Sequence, residues 1–333
     1  MSLCVSTQFQ LNYSLLLLPL KQLIQYLKKY SSDNFNAKIY LLTGLFLALC
    51  IWLNYQFQIY SNISAQYREE WSYFPIMAVF MAFPYLVISS FSLLDTEKQR
   101  WPRSKEFWTK FVIAFIIIGI ERSFYLHKDW GQSLDIIDWQ FYVGTMAWGR
   151  TFLSTFLLSI LFYWLYERKR DQDKTWFGLR MDQTNYKLYL SLIALVFGGI
   201  YLASYISELS AYYPRYQQVG GAAFANKHGF SEYVSVLIYE LVYGASFINV
   251  ELFFRGVLVI GFARILGPHA VLAMIGSYVF LHFGKPITEC ISSALGGYVI
   301  GILAFYSKRI WGGVVLHISL AWSMDLFAWL QNN

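Results

Sequence analysis

Ionisable side chains stand inside the apolar stretches of the C-terminal third of the chain. Glu251 and Arg255 are four residues apart in the run 233–262, His282 ends the next run, and His317 lies in the last one. On insertion scales, an ionisable group inside a membrane span costs about 2.5–3.5 kcal/mol. Because groups of this cost usually have partners and a role, we expect these residues to act together in a buried site.

The residue types suit the hydrolysis of a peptide bond. Glu251, His282 and His317 are two histidines and a glutamate, a known ligand set for catalytic Zn²⁺, and the metal would lower the pKa of its bound water to about 7. Glu289 follows His282 closely, and a carboxylate near that water would act as a general base. Arg255 would orient a carboxylate.

Each of these residues also has a purely structural explanation. Glu251 and Arg255 face the same way on a helix, with the acid first, which is the favourable order for a self-contained ion pair. A single buried histidine is more often a hydrogen-bonded core residue than a ligand. Glu289 follows Pro286 at the start of a helix, where an acid suits the positive end of the helix dipole. The residues alone leave these explanations open.

Three short motifs in this region resemble those of the CPBP family of intramembrane proteases, also called the CAAX protease or Abi family. The family's Glu-Glu-x-x-x-Arg stands here as Val250-Glu251-Leu252-Phe253-Phe254-Arg255, its Phe-x-x-x-His as Tyr278-x-x-x-His282, and its His-x-x-x-Asn as His317-x-x-x-Ala321. The matching region is about 233–330, roughly a third of the chain. The resemblance implies an intramembrane metalloendopeptidase that acts on a peptide or lipidated protein at or within the membrane.

The chain departs from the family's pattern at two positions that carry chemistry. Val250 replaces the first glutamate, which the resemblance makes the activator of water, and Ala321 replaces the asparagine expected to hold the oxyanion. Glu251 lies about 100° away from Val250 around a helix and cannot simply take over its role. Either Glu289 or Glu251 supplies the missing carboxylate, with Glu289 the preferred candidate, or the protein binds a membrane peptide or lipidated segment without cutting it.

A transporter is a third hypothesis, because Gly- and Pro-broken helices with charges near the membrane midplane are also transporter features. The chain shows no pair of matching halves, which disfavours it.

The composition requires a membrane around the elements that position these residues. Of the 333 residues, 57% are hydrophobic and only 14% are charged, whereas soluble domains have about 25% charged residues. The net charge of +6 comes from basic residues in short loops between apolar runs. The positive-inside rule explains these residues better than nucleic-acid binding does.

The apolar runs predict an all-α fold, a polytopic transmembrane helical bundle with about eight to nine spans. The runs lie near 37–57, 74–94, 108–125, 141–166, 186–207, 233–262, 268–283, 287–306 and 310–330. Basic residues around 98–110, 168–180 and 308–309 mark one side as cytoplasmic. In this threading His282 and His317 lie near opposite ends of their spans, so we expect region 284–310 to be irregular.

The hydrophilic stretch 167–185 is the clearest boundary, and four regions follow from it. They are an amphipathic N-terminal segment, 1–36, that would lie on the membrane surface; front transmembrane helices, 37–166; a basic cytoplasmic linker, 167–185; and the protease-like core, 186–333. Glu121, Arg122 and Arg150 are polar residues of the front helices, which we interpret as structural. The chain shows no evident organelle-targeting sequence, so a bacterial plasma membrane is the expected location, with lipids as partners.

Overall fold

The computed structural model describes residues 21, 23–68, 70–95, 101–181 and 186–332. The predictions for residues 1–20, for Lys98 and Arg100 of the basic loop, and for residues 182–185 of the linker therefore lie outside the described residues.

The described part of the chain is all-helical, as predicted. Its helices are α1 Ala37–Phe57, α2 Ile59–Tyr67, α3 Tyr73–Phe91, α4 Lys105–Ser123, α5 Leu126–Trp130, α6 Ile136–Glu167, α7 Tyr186–Ala203, α8 Ser207–Tyr212, α9 Gly221–Lys227, α10 Glu232–Leu266, α11 His269–Leu281, α12 Ile287–Ser307 and α13 Trp311–Asn332. Two of them contain π-helical turns, α6 at Phe152–Leu157 and Tyr163–Glu167, and α10 at Leu252–Ile260.

Six of the described helices (α1, α3, α6, α10, α12 and α13) are long and apolar enough to cross a membrane. A seventh span results if α7 and the bent segment Ser207–Lys227 are counted together. The chain is therefore a membrane protein, but the expected eight to nine spans are not confirmed. The α11 helix has only 13 residues, and α4 begins and ends with charged residues.

Apolar side chains on the outside of the bundle form the surface that lipid would cover. On α1, Leu41, Leu45, Leu49 and Trp52 are each more than half exposed, and their spacing puts them on one face. Contiguous apolar surface of this kind is disfavoured in water and stable in a bilayer.

The α10 and α11 helices form the centre of the bundle. Every residue from Leu252 to Ile260 and from His269 to Phe280 is buried. The α11 helix packs against α3 on one side and α12 on the other, and α13 packs against α7 and α10. The central helices therefore carry the candidate residues into the protein interior, away from lipid.

Region 284–310 is not irregular, so that prediction was wrong. The α12 helix is regular over 21 residues. The α11 helix is short and ends at Leu281, and both histidines lie near the ring of Tyr278.

The N-terminal segment and the linker both pack against ends of helices in the C-terminal half of the bundle. Residues 23–34 are helical, and Tyr30 within them is 1% exposed and donates from its hydroxyl to the carbonyl of Pro268 at 2.7 Å. In the linker, the Gly178 carbonyl accepts from the backbone N–H of Ile310 at 3.0 Å. The Trp311 indole donates to the Leu179 carbonyl at 2.7 Å.

Lys110, which the charge pattern placed in a basic loop, is a buried side chain of α4 that joins three helices. It is 1% exposed, and its Nζ donates to Glu167 of α6 at 2.8 Å and to the Gly261 carbonyl of α10 at 2.7 Å. Glu106 lies 3.1 Å away, one turn before it. The amine therefore holds the front helices against the central one.

Replacing Lys110 with methionine should destabilise the bundle. Lys110→Met keeps the chain length but leaves the Glu167 carboxylate buried without its cation, a change that costs about 3–5 kcal/mol. Thermal unfolding in detergent, followed by size-exclusion chromatography, should show a clearly lower Tm. Lys105→Met, at an exposed position of the same helix, is the matched control. Equal Tm values for the two variants would show that the buried ion pair contributes nothing to stability.

Candidate active site

Glu251 and Arg255 form the buried base of the site, where α10 changes from α to π geometry. Both side chains have 0% exposure, and Arg255 Nη1 lies 3.1 Å from Glu251 Oε1. The guanidinium also stacks on the ring of Tyr278, with 4.2 Å between Cζ and the ring centroid. No guanidinium nitrogen has a hydrogen-bond partner among the described residues. The ion pair and the aromatic ring are therefore what stabilise this charge.

Glu251 also holds His317, which reaches it from α13. His317 Nδ1 lies 2.9 Å from Glu251 Oε1, and its Nε2 lies 3.1 Å from the hydroxyl of Tyr278. The imidazole stacks on Phe247, with 4.6 Å between ring centroids. A carboxylate on one ring nitrogen and a hydroxyl on the other fix the orientation of this histidine.

A glycine makes room for the Glu251 carboxylate. A Cβ at Gly313 would stand 2.3 Å from Glu251 Oε2, closer than any two such atoms can approach. The Gly-rich start of α13 therefore allows this helix to lie directly against the carboxylate, and His317 follows one turn later.

His282 lies just beyond the end of α11 and is held by its own helix. Its Nδ1 lies 2.8 Å from the Tyr278 carbonyl one turn back. Because a carbonyl only accepts, Nδ1 carries the proton, and the neutral ring presents a bare nitrogen at Nε2. That Nε2 lies 4.0 Å from Glu289 Oε1. The helix end therefore aims a basic nitrogen at the start of α12.

Glu289 has two further partners. It accepts from Lys285 Nζ at 2.5 Å and from the Tyr213 hydroxyl at 3.0 Å. Lys285 belongs to the turn between α11 and α12, so Lys285 and Glu289 are four residues apart. The carboxylate that the sequence offered as a replacement base is thus beside His282, but it is also paired with a cation.

Tyr278 connects all parts of the site. Its ring centroid is 4.7 Å from that of His282 and 6.3 Å from that of His317, and its hydroxyl contacts the latter. In the motif this tyrosine stands where the family has phenylalanine. Its hydroxyl therefore adds a polar contact that a phenylalanine lacks.

A cavity of about 1050 Å³ lies in front of these residues. His282, His317, Tyr278 and Glu289 line it, as do Val250 and Ala321, the two positions that depart from the family motif. Glu251 and Arg255 are not in its wall. The five predicted catalytic residues therefore fall into a lining group (His282, His317 and Glu289) and a supporting pair behind it.

The predicted metal ligands do not form a metal site as they are arranged. Both nitrogens of His317 already have partners, Glu251 and the Tyr278 hydroxyl. Nδ1 of His282 is bonded to the Tyr278 carbonyl, so only its Nε2 is left to bind a metal. Within the part of the chain that the structure describes, no three His, Cys, Asp or Glu side chains are grouped so that they could hold a metal ion. Zinc remains a prediction from the resemblance, and no step below uses it.

The front helices contribute a second polar wall to the same cavity, which the sequence did not reveal. Arg122 and Arg150 line it together with Glu121 between them, and Asn249 precedes the motif on α10. The sequence signal was the presence of charges inside apolar runs, but nothing in it indicated that these helices face the motif.

The chain matches no protein-family model, and no curated protein or solved structure is significantly similar to it.

Proposed function

We propose that the chain is an intramembrane endopeptidase of the CPBP type, in which His282 and Glu289 activate the attacking water. The observation that supports this most is the fixed tautomer of His282. Its bare Nε2 lies 4.0 Å from a carboxylate inside a cavity large enough for a peptide segment. A positioned base of this kind typically contributes 10²–10⁴-fold to a rate.

The proposed reaction uses groups that line the cavity. A water that donates to His282 Nε2 attacks the peptide carbonyl carbon, and its proton moves to the imidazole as the C–O bond forms. Glu289 stabilises the resulting imidazolium by its negative charge. When the C–N bond breaks, the imidazolium returns the proton to the leaving amine.

Lys285 is the proposed stabiliser of the oxyanion in place of the family's asparagine. Its ammonium carries three protons, one of which goes to Glu289. A cation beside the carbonyl oxygen lowers the energy of the tetrahedral intermediate. The turn between α11 and α12 then supplies the base and the electrophile, and the first turn of α12 supplies the carboxylate. These are the functions that Val250 and Ala321 cannot perform.

A second candidate function is the binding of a membrane peptide or lipidated segment without cleavage. Val250 and Ala321 favour it, because both lie in the cavity wall at the positions where the family motif has its catalytic glutamate and asparagine. Under either function, membrane lipids surround the protein, and a bacterial plasma membrane is its proposed location.

Removing the base should abolish cleavage. Purified protein is reconstituted in liposomes with a peptide library digested from a membrane-protein fraction, and new N-termini are identified by mass spectrometry. We expect His282→Gln and Glu289→Gln each to lower the cleavage rate about 10²–10⁴-fold. The control is His228→Gln, whose imidazole lies 2.8 Å from Asp138 at the outer surface. Cleavage by His282→Gln at the wild-type rate would overturn the mechanism.

Restoring the two family residues should separate cleavage from simple binding. If the His282–Glu289 pair is the working base, Val250→Glu combined with Ala321→Asn changes the rate by less than about tenfold, or about 1.4 kcal/mol. The same liposome assay measures it. Cleavage by the double variant alone, with none by wild type, would identify the natural chain as a binding protein.

Metal removal should leave the activity unchanged. Dialysis against EDTA is expected to alter the cleavage rate less than about twofold, because the mechanism above uses no metal ligand set. Elemental mass spectrometry of the same samples gives the zinc content. About one zinc per chain, lost in both His282→Ala and His317→Ala, would instead show that the site rearranges around a metal.

A further inference from the structure

The second polar wall of the cavity contains two arginines and one acid. Arg150 Nη2 lies 3.3 Å from Glu121 Oε1, and Arg150 also donates to the Glu121 backbone carbonyl. Arg122 Nη1 is 3.9 Å from Glu121 Oε2. A single carboxylate is therefore shared by two guanidinium groups and lies closer to Arg150.

Arg122 has the weaker set of partners. Besides the distant Glu121, it donates to the neutral hydroxyl of Tyr60, and its Nε has no hydrogen-bond partner among the residues that the structure describes. Its side chain is 20% exposed. A largely buried cation is costly without a full counter-charge, so Arg122 is suited to an anionic group entering from the cavity.

Other ionisable groups lie near this wall, since Arg68, Glu70 and Arg215 also line the cavity. His127, 2% exposed on α5, is near Arg150. Burial, with the charges of Arg150 and Lys128, lowers the pKa of His127 to about 4. The imidazole is therefore neutral near pH 7. Across the cavity, Lys285 and Glu289 neutralise each other.

Asn249 presents an unused acceptor on the same wall. The hydroxyl proton of Thr151 goes to the Trp148 carbonyl at 2.7 Å, so Thr151 Oγ1 accepts from Asn249 Nδ2 at 2.6 Å. This fixes the orientation of the amide. Asn249 Oδ1 then has no partner within the described part of the chain, on a side chain that is only 1% exposed. A buried acceptor left in this way needs a donor.

An anionic group and an N–H donor on one ligand are characteristic of a peptide that carries a carboxylate. We propose that Arg122 and Asn249 form a second subsite of the cavity, in which Arg122 binds a peptide carboxylate and Asn249 Oδ1 accepts a backbone N–H. The carboxylate comes from an acidic side chain or from the end of the peptide chain. This subsite deepens the endopeptidase function proposed above and rests on it for the identity of the ligand as substrate.

The subsite is continuous with the motif. Arg122, Glu121, Arg150, Thr151 and Asn249 form an unbroken series of contacts or chain neighbours. Asn249 stands two residues before Glu251 on α10. A peptide held at this wall therefore lies in the same cavity as His282.

Three fluorescent peptides of one apolar sequence test the subsite. The first has a central Glu and an amidated C-terminus, the second has Gln and the amide, and the third has Gln and a free carboxylate. Fluorescence anisotropy with the His282→Gln protein in detergent measures Kd without cleavage. We expect the first or the third peptide to bind at least about tenfold more tightly than the second, and the peptide that does so identifies the source of the carboxylate.

Variants of Arg122 and Asn249 then test whether these two residues cause the preference for a peptide carboxylate. Arg122→Gln should remove the carboxylate preference and leave the neutral peptide's Kd within about twofold, whereas Arg122→Lys should retain most of the preference. Asn249→Leu should weaken the binding of all three peptides, and size-exclusion chromatography confirms that each variant is folded.

Equal affinity for the three peptides, or a preference that survives Arg122→Gln, would overturn the subsite. Displacement of the peptide by short-chain phosphatidylglycerol, but not by the unlabelled acidic peptide, would assign the wall to lipid phosphate and overturn it too.

Because binding is measured in the His282→Gln background, the subsite and the catalytic proposal fail separately. If no carboxylate preference is found, the subsite is wrong, but any cleavage observed with the wild-type protein still supports the catalytic proposal. Absence of cleavage leaves the measured preference intact.

Discussion

The burial of Arg255 is the constraint on which the candidate site depends. A guanidinium is always charged and has no exposed surface here, so the protein must supply compensation within a few ångströms. Glu251 supplies the opposite charge and Tyr278 supplies an aromatic face. These two partners then fix their own neighbours. The carboxylate positions His317, and the backbone of the tyrosine positions His282.

The same requirement recurs wherever a charge enters the bundle. Lys110 is matched by Glu167, and Arg150 by Glu121. Arg122 is less well compensated, since its nearest acid is already shared. Where compensation is complete, the pair stabilises the fold. Where it is incomplete, the remaining charge is available to a ligand, and for this reason the second wall of the cavity has a different role from the first.

Val250 and Ala321, where the sequence differs from the motifs that it resembles, place the proposed chemistry on other residues of the same cavity. Val250 and Ala321 line the cavity without polar groups, yet Glu251, Arg255 and His317 still form a connected buried unit. The groups able to move a proton or stabilise an oxyanion are then those of the turn after α11. This turn lies beside the cavity because α11 is only 13 residues long.

The sequence by itself determined the membrane class, the all-helical fold and the contacts within single helices. Helical periodicity places Glu251 with Arg255, and the proline after His282 indicated the end of α11. Contacts between helices were decided only by the tertiary structure. The Glu251–His317 contact joins residues 66 positions apart, and α4 and α6 bring their arginines to the cavity that faces the motif. Periodicity fixes which side chains share a face of one helix, whereas the helix that each face meets depends on packing of the whole bundle. For the same reason the number of spans and the regularity of α12 did not follow from the apolar runs.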